Sequence, residues 1–149
     1  MTFSVSIIGS FRRHYEEVAL TAKKFELLGV TVSSPAISRI INPGACYVRF
    51  ESDPPQSSDE FIQAMALGNI LDSDLVYVVA PAGYVGVTTC YELGRVHERG
   101  IPTYFSDIPQ DLPIEVSPGS VLGVQDLVLK VSGDLVKSLG DPDASDYVR

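Results

Sequence analysis

Tryptophan is absent from the 149-residue sequence, and cysteine, methionine and histidine each occur only twice. Two cysteines, Cys46 and Cys90, are too few for a disulfide framework and lack the C-x-x-C spacing of a metal site. His14 and His97 stand far apart with no partner at ligand spacing, so no metal is expected. No apolar run approaches the roughly 18–20 residues of a membrane helix, and no basic region precedes an apolar stretch near Met1. A cytoplasmic protein without a membrane partner is the expectation. Cations are scarce too: 11 Lys and Arg against 19 Asp and Glu leave a formal net charge of −8. Polymeric nucleic acid is held chiefly by neutralising its phosphates. An acidic chain therefore points to a small-molecule partner instead.

What is present is globular. Hydrophobic residues make up 45% and charged residues 20%, close to the averages of folded domains, and the length suits one domain. Phe3–Ile8 is a short β-branched run ending at Gly9-Ser10. Behind it Tyr15, Val18, Ala19, Ala22 and Phe25 recur at helical spacing, with Gly29 where a C-terminal cap belongs. Val30–Val32 reads as a second strand, completing a βαβ pattern. The stretch from Ser34 to Ser58 has no clear period and reads as a long loop, with one short strand at Cys46–Phe50. Such a loop is either a surface insertion or a cover for a binding site. Asp59-Glu60 opens a helix with Phe61, Ala64, Met65 and Ile70 as its expected apolar contacts.

Leu75–Ala80 is almost wholly apolar, as a central parallel strand should be. A helix is expected from about Thr89 to Glu98, then a strand at Ile101–Phe105 and a possible last one at Ile114–Val116. Val124, Leu127, Val128, Val131 and Leu135 place a final helix on the core, and the polar tail from Gly140 to Arg149 is expected to fray. The fold class is therefore α/β, a single domain over residues 1–139 with a parallel sheet covered on both faces. Ligands of such sheets bind beyond the carboxyl ends of the strands. That singles out the loops Gly9–His14 and Ala80–Thr89.

Each loop has a structural reading beside a chemical one. Gly9-Ser10-Phe11-Arg12-Arg13-His14 follows a strand and opens a helix. It suits either an anion at the helix N-terminus or a plain serine cap. In the second loop, Thr89-x-x-Glu92 fits a capping box, whereas a glutamate at the substrate edge suits catalysis. Gly94 reads as close helix–sheet packing and Cys90 as a small buried apolar residue. Arg95, Glu98 and Arg99 read as a solvated helix face.

Taken together, Ile8-Gly9-Ser10-Phe11, Ser73-Asp74-Leu75-Val76-Tyr77-Val78-Val79 and Gly83-Tyr84-Val85-Gly86-x-Thr88-Thr89-x-x-Glu92-Leu93-Gly94 resemble the nucleoside 2-deoxyribosyltransferase superfamily. Gly100-Ile101-Pro102-Thr103-Tyr104-Phe105 continues the likeness, which covers roughly residues 3–107. That superfamily also includes nucleoside 5′-monophosphate N-glycosidases. The resemblance implies a flavodoxin-like domain, a homodimer or higher homo-oligomer, and no metal or organic cofactor. It implies Glu92 as nucleophile, with Gly9, Ser10 and Phe11 lining the sugar and base pocket. Thr88 and Thr89 would hold the sugar's 5′ side, or a 5′-phosphate with help from Arg12, and Gly86 would be a further substrate-binding residue. The implied activity is hydrolysis or transfer of the N-glycosidic bond of a nucleoside or its 5′-monophosphate. The chain departs from the pattern at Ala66, where many members carry an aspartate; Asn69, Gln63 or Asp72 are the candidates to replace it. The alternative is a non-catalytic nucleotide-binding module of the same fold.

Overall fold

The computed structural model describes residues 3–36, 40–43, 45 and 48–139. Four strands form one parallel sheet: β1 (Ser4–Gly9), β2 (Thr31–Ser34), β3 (Leu75–Val79) and β4 (Thr103–Phe105). Their spatial order is β2-β1-β3-β4. Four helices connect or follow them: α1 (Phe11–Leu27), α2 (Asp59–Leu71), α3 (Val87–Glu98) and α4 (Val124–Leu139). This is the doubly wound α/β arrangement.

The strict alternation of a strand sends neighbouring side chains to opposite faces. Val5 and Ile7 of β1 and Leu75, Tyr77 and Val79 of β3 join one core with Val18, Ala22 and Phe25 of α1 and Leu127 of α4. Ile8, Val76, Val78 and Ala80 join the other core with Ile70 of α2 and Leu93 and Val96 of α3. Both faces of β3 are buried, which is why its sequence is an unbroken apolar run. Tyr77 satisfies its hydroxyl by donating to Leu122 O at 2.7 Å. Burial, with a smaller contribution from Asp107, pushes its pKa up to about 12.

Several expectations shift. The second strand runs Thr31–Ser34 rather than Val30–Val32, with Val30 buried just before it. Cys46 and Tyr47 of the expected Cys46–Phe50 strand lie outside the described residues, and Phe50 makes only an isolated antiparallel bridge with Ile40. On α2 the buried side chains are Ile62, Leu67 and Ile70; Phe61, Ala64 and Met65 are exposed. Ile114–Val116 is not a strand. Instead Phe105 bridges Val121, and Ile114, Val116 and Val121 pack on the α3-side core, so this stretch covers the sheet edge itself. Gly94 is exposed with open space where a Cβ would lie, so no close packing calls for glycine there. Cys90 is exposed rather than buried, because the buried stripe of α3 falls at Thr89, Leu93 and Val96. The Leu135 side chain and the tail 140–149 lie outside the described residues.

Candidate active site

A cavity of about 560 Å³ opens over the carboxyl end of β1, within the range of small-molecule sites. The chain leaves β1 toward β2 on one side and returns as β3 on the other. The cavity thus sits at the switch point where open α/β sheets bind ligands. Its walls are the ends of β1 and β2, the β2–α2 loop, one side of α2 and the first turns of α3.

All eight residues singled out in the sequence line this one cavity: Gly9, Ser10, Phe11, Arg12, Gly86, Thr88, Thr89 and Glu92. Gly9 has a packing reason to be glycine, since a Cβ would meet Val79 O at 2.9 Å and Val18 Cγ2 at 3.2 Å. Ser10 is the N-cap of α1, its hydroxyl accepting from Arg13 N at 3.2 Å. The capping reading therefore holds for Ser10, and the same residue also faces the cavity. Arg12 and Arg13 part company. Arg12 reaches the cavity, whereas the Arg13 guanidinium lies 4.3 Å from the Tyr84 ring centroid. His14 leaves helical geometry (φ −131°, ψ 36°) and sets its ring against Tyr84; its buried Nδ1 has no partner among the described residues.

The capping-box reading of Glu92 does not survive. Helix α3 begins at Val87 after Gly86, whose φ of +91° is a conformation glycine adopts freely. Thr89 is therefore a buried residue inside the helix, and Glu92 lies in the second turn with its carboxyl free of the cap. No described side chain or backbone group bonds to that carboxyl, and burial pushes its pKa up to about 7. The residue as a whole keeps some exposure, as a group at a cavity wall should. Cys90 next door is no rival nucleophile. Desolvation, followed by Asp111, raises its thiol pKa, and it does not line the cavity.

Of the residues considered for Ala66's missing function, Gln63 and Asn69 line the cavity, as does Ala66 itself. Asp72 does not; it is the exposed C-cap of α2. The β2–α2 loop, read from the sequence as either a surface insertion or a cover for a binding site, contributes to the cavity wall through residues that the sequence did not single out. Phe50 is buried against Phe11 (ring centroids 5.3 Å apart, 73° between planes), and Asp53 lines the cavity close by. Arg49 anchors this loop by bonding Asp59 at 2.6 Å, Ser57 O at 3.0 Å and Pro54 O at 3.1 Å. The only available hint was the loop's length.

Among the described residues, no cluster of three or more His, Cys, Asp or Glu could hold a metal ion, and no helix is long and apolar enough to cross a membrane. The fold and site define a doubly wound α/β protein with a desolvated carboxyl in a cavity at the sheet's switch point. Comparison with protein-family models, curated proteins and solved structures found no match.

Proposed function

We propose that the protein cleaves or transfers the N-glycosidic bond of a nucleoside or nucleoside 5′-monophosphate, with Glu92 as nucleophile. The observation that carries this reading is the unpartnered Glu92 carboxyl in the switch-point cavity, beside Gly9, Ser10, Phe11 and Thr88. Breaking a C1′–N bond builds an oxocarbenium-like centre, which a carboxylate can trap covalently as in retaining glycosidases. Water then completes hydrolysis, whereas a second base completes transfer. Such a reaction draws only on carboxyl chemistry and a shaped pocket. Arg12, at the start of α1 and lining the cavity, supports recognition of a 5′-phosphate. A homo-oligomer belongs to the same proposal. Phe61 and Met65 on α2 and Val87 and Tyr91 on α3 are 50–89% exposed at i, i+4 spacing, and Met65 and Val87 also line the cavity.

The test incubates the protein with a panel of nucleosides and their 5′-monophosphates and measures free base. Release is expected from at least one class, and Glu92→Gln should lower it by about three orders of magnitude or more while leaving the fold intact. Wild-type release that survives Glu92→Gln would overturn the mechanism. A second reading, a non-catalytic nucleotide-binding module, is favoured by Ala66, which presents a methyl group to the cavity where a proton donor is expected. Ligand-induced thermal stabilisation with no base released would support that reading.

A further inference from the structure

We infer that Asp53, supplied by the β2–α2 loop, is the acid that protonates the leaving base; this rests on the reading of Glu92 as nucleophile. When the C1′–N bond breaks, its electron pair goes to the glycosidic nitrogen, and an ordinary base departs readily only if one of its ring nitrogens receives a proton. Glu92 is committed to C1′, so a second acid is needed.

The ionisable side chains among the described lining residues are Arg12, Asp53, Tyr84 and Glu92. Arginine does not give up its proton in proteins. Tyr84 offers a phenol, a weaker proton donor than a carboxylic acid, and its ring packs against the Arg13 guanidinium and the His14 ring. Gln63 and Asn69 offer amides, which donate hydrogen bonds but do not act as acids. Asp53 is the remaining carboxyl.

Its position is built rather than incidental. Asp53 Oδ2 accepts from Phe50 N at 2.8 Å, and Asp53 N donates to Phe50 O at 3.0 Å, closing the turn between them in both directions. Phe50 in turn is buried against Phe11 and Tyr15, at ring-centroid distances of 5.3 and 5.9 Å. Arg49 ties the same loop to the start of α2. The carboxyl is therefore held beside an aromatic wall, the surface on which a planar base would lie. It comes from the β2 side of the cavity, and Glu92 comes from the helix after β3.

The Glu92 carboxylate bonds to C1′, the C1′–N bond breaks with its electron pair going to the glycosidic nitrogen, and the Asp53 proton passes to a ring nitrogen of the base. Water then attacks C1′, Asp53 takes the water's proton, and Glu92 departs as carboxylate. Both groups return to their starting state.

The experiment compares two substrates of the wild-type protein: an ordinary purine nucleoside or monophosphate, and its 7-methylated form. The methylated base already carries a positive charge and leaves neutral without a proton. Asp53→Asn, whose amide oxygen can still accept from Phe50 N, should lose 100-fold or more on the ordinary substrate. On the methylated substrate it should lose less than about fivefold, the span left to positioning effects. Asp53→Ser should give the same split if Asp53→Asn folds poorly, and Glu92→Gln should lose both substrates. Equal losses on both substrates in the Asp53 variants, or no loss on either, would overturn the Asp53 assignment and leave Glu92 untouched. Absence of base release by wild-type protein from either substrate would overturn the Glu92 reading and this inference with it.

Discussion

On the face of the sheet covered by α1 and α4, Val18, Phe25 and Leu127 are fully buried against Val5, Ile7 and Tyr77. On the face covered by α2 and α3, apolar packing holds near the middle of the strands through Ile70, Leu93 and Val96. Toward the carboxyl end of β1 it gives way to Gln63, Ala66, Asn69, Thr88 and Glu92 around a cavity. The same strand alternation feeds both faces. The difference lies in the helices: α1 and α4 bring large apolar side chains to the sheet, whereas α2 and α3 bring short or polar ones to its carboxyl edge. One face thus supplies stability, and the other accepts a desolvated carboxyl at a cost in stability.

The largest effect that would break this contrast is Phe25→Ala. Its ring meets Tyr77 edge-on at 5.4 Å inside the filled core. Truncation there costs about 3–5 kcal/mol, a fall of roughly 6–20 °C in melting temperature for a domain this size. Phe50→Ala, in the cavity wall, is expected to cost less stability but to weaken binding of the proposed nucleoside or nucleotide. Equal melting losses with unchanged binding in Phe50→Ala would erase the distinction between the faces.

A smaller effect has the opposite sign. The Glu92 carboxyl, raised from an ordinary 4.5 to about 7, binds its proton more tightly in the folded chain than in the unfolded one. Folding is thus favoured below pH 4.5, and that advantage is lost as pH rises toward 7, by about 3 kcal/mol at most. Glu92→Gln removes the penalty. The variant should melt higher than wild type at pH 8 and show little such gain near pH 4. Lower melting at pH 8 would mean that the carboxylate is paired. On the 7-methylated substrate, which needs no acid, the same ionisation should make wild-type base release rise with pH through about 7.

The smallest effect compares the two serine caps. Ser58 caps α2 by accepting from Phe61 N at 3.1 Å and does not line the cavity, whereas Ser10 both caps α1 and lines it. Each serine-to-alanine change should cost about 1 kcal/mol. Only Ser10→Ala should also change ligand affinity, as titration of both variants with the proposed nucleosides and nucleotides would show.

Much of this architecture is legible in the sequence where the signal is local. The unbroken apolar run of β3, the 3.6-residue spacing of α1 and the acidic opening of α2 each reflect a single element's own geometry. The start of α3 was not legible. Thr89-x-x-Glu92 has the form of a capping box, but the positive φ of Gly86 starts the helix earlier and carries Thr89 into the core. The face of α2 was not legible either, because Phe61 and Met65 match Ile62, Leu67 and Ile70 in hydrophobicity. Only contact with the sheet decides which set is buried.

The order of residues by itself determined the alternation of strands and helices, and with it the carboxyl edge at which Gly9, Ser10, Gly86 and Glu92 would gather. Helical hydrogen bonds and side-chain periodicity act over a few residues, so a linear pattern can specify them. Tertiary structure alone decided that Glu92 loses water and that Asp53, distant in the chain, lines the same cavity. Desolvation and convergence depend on what other elements place around a group, and no local spacing encodes that.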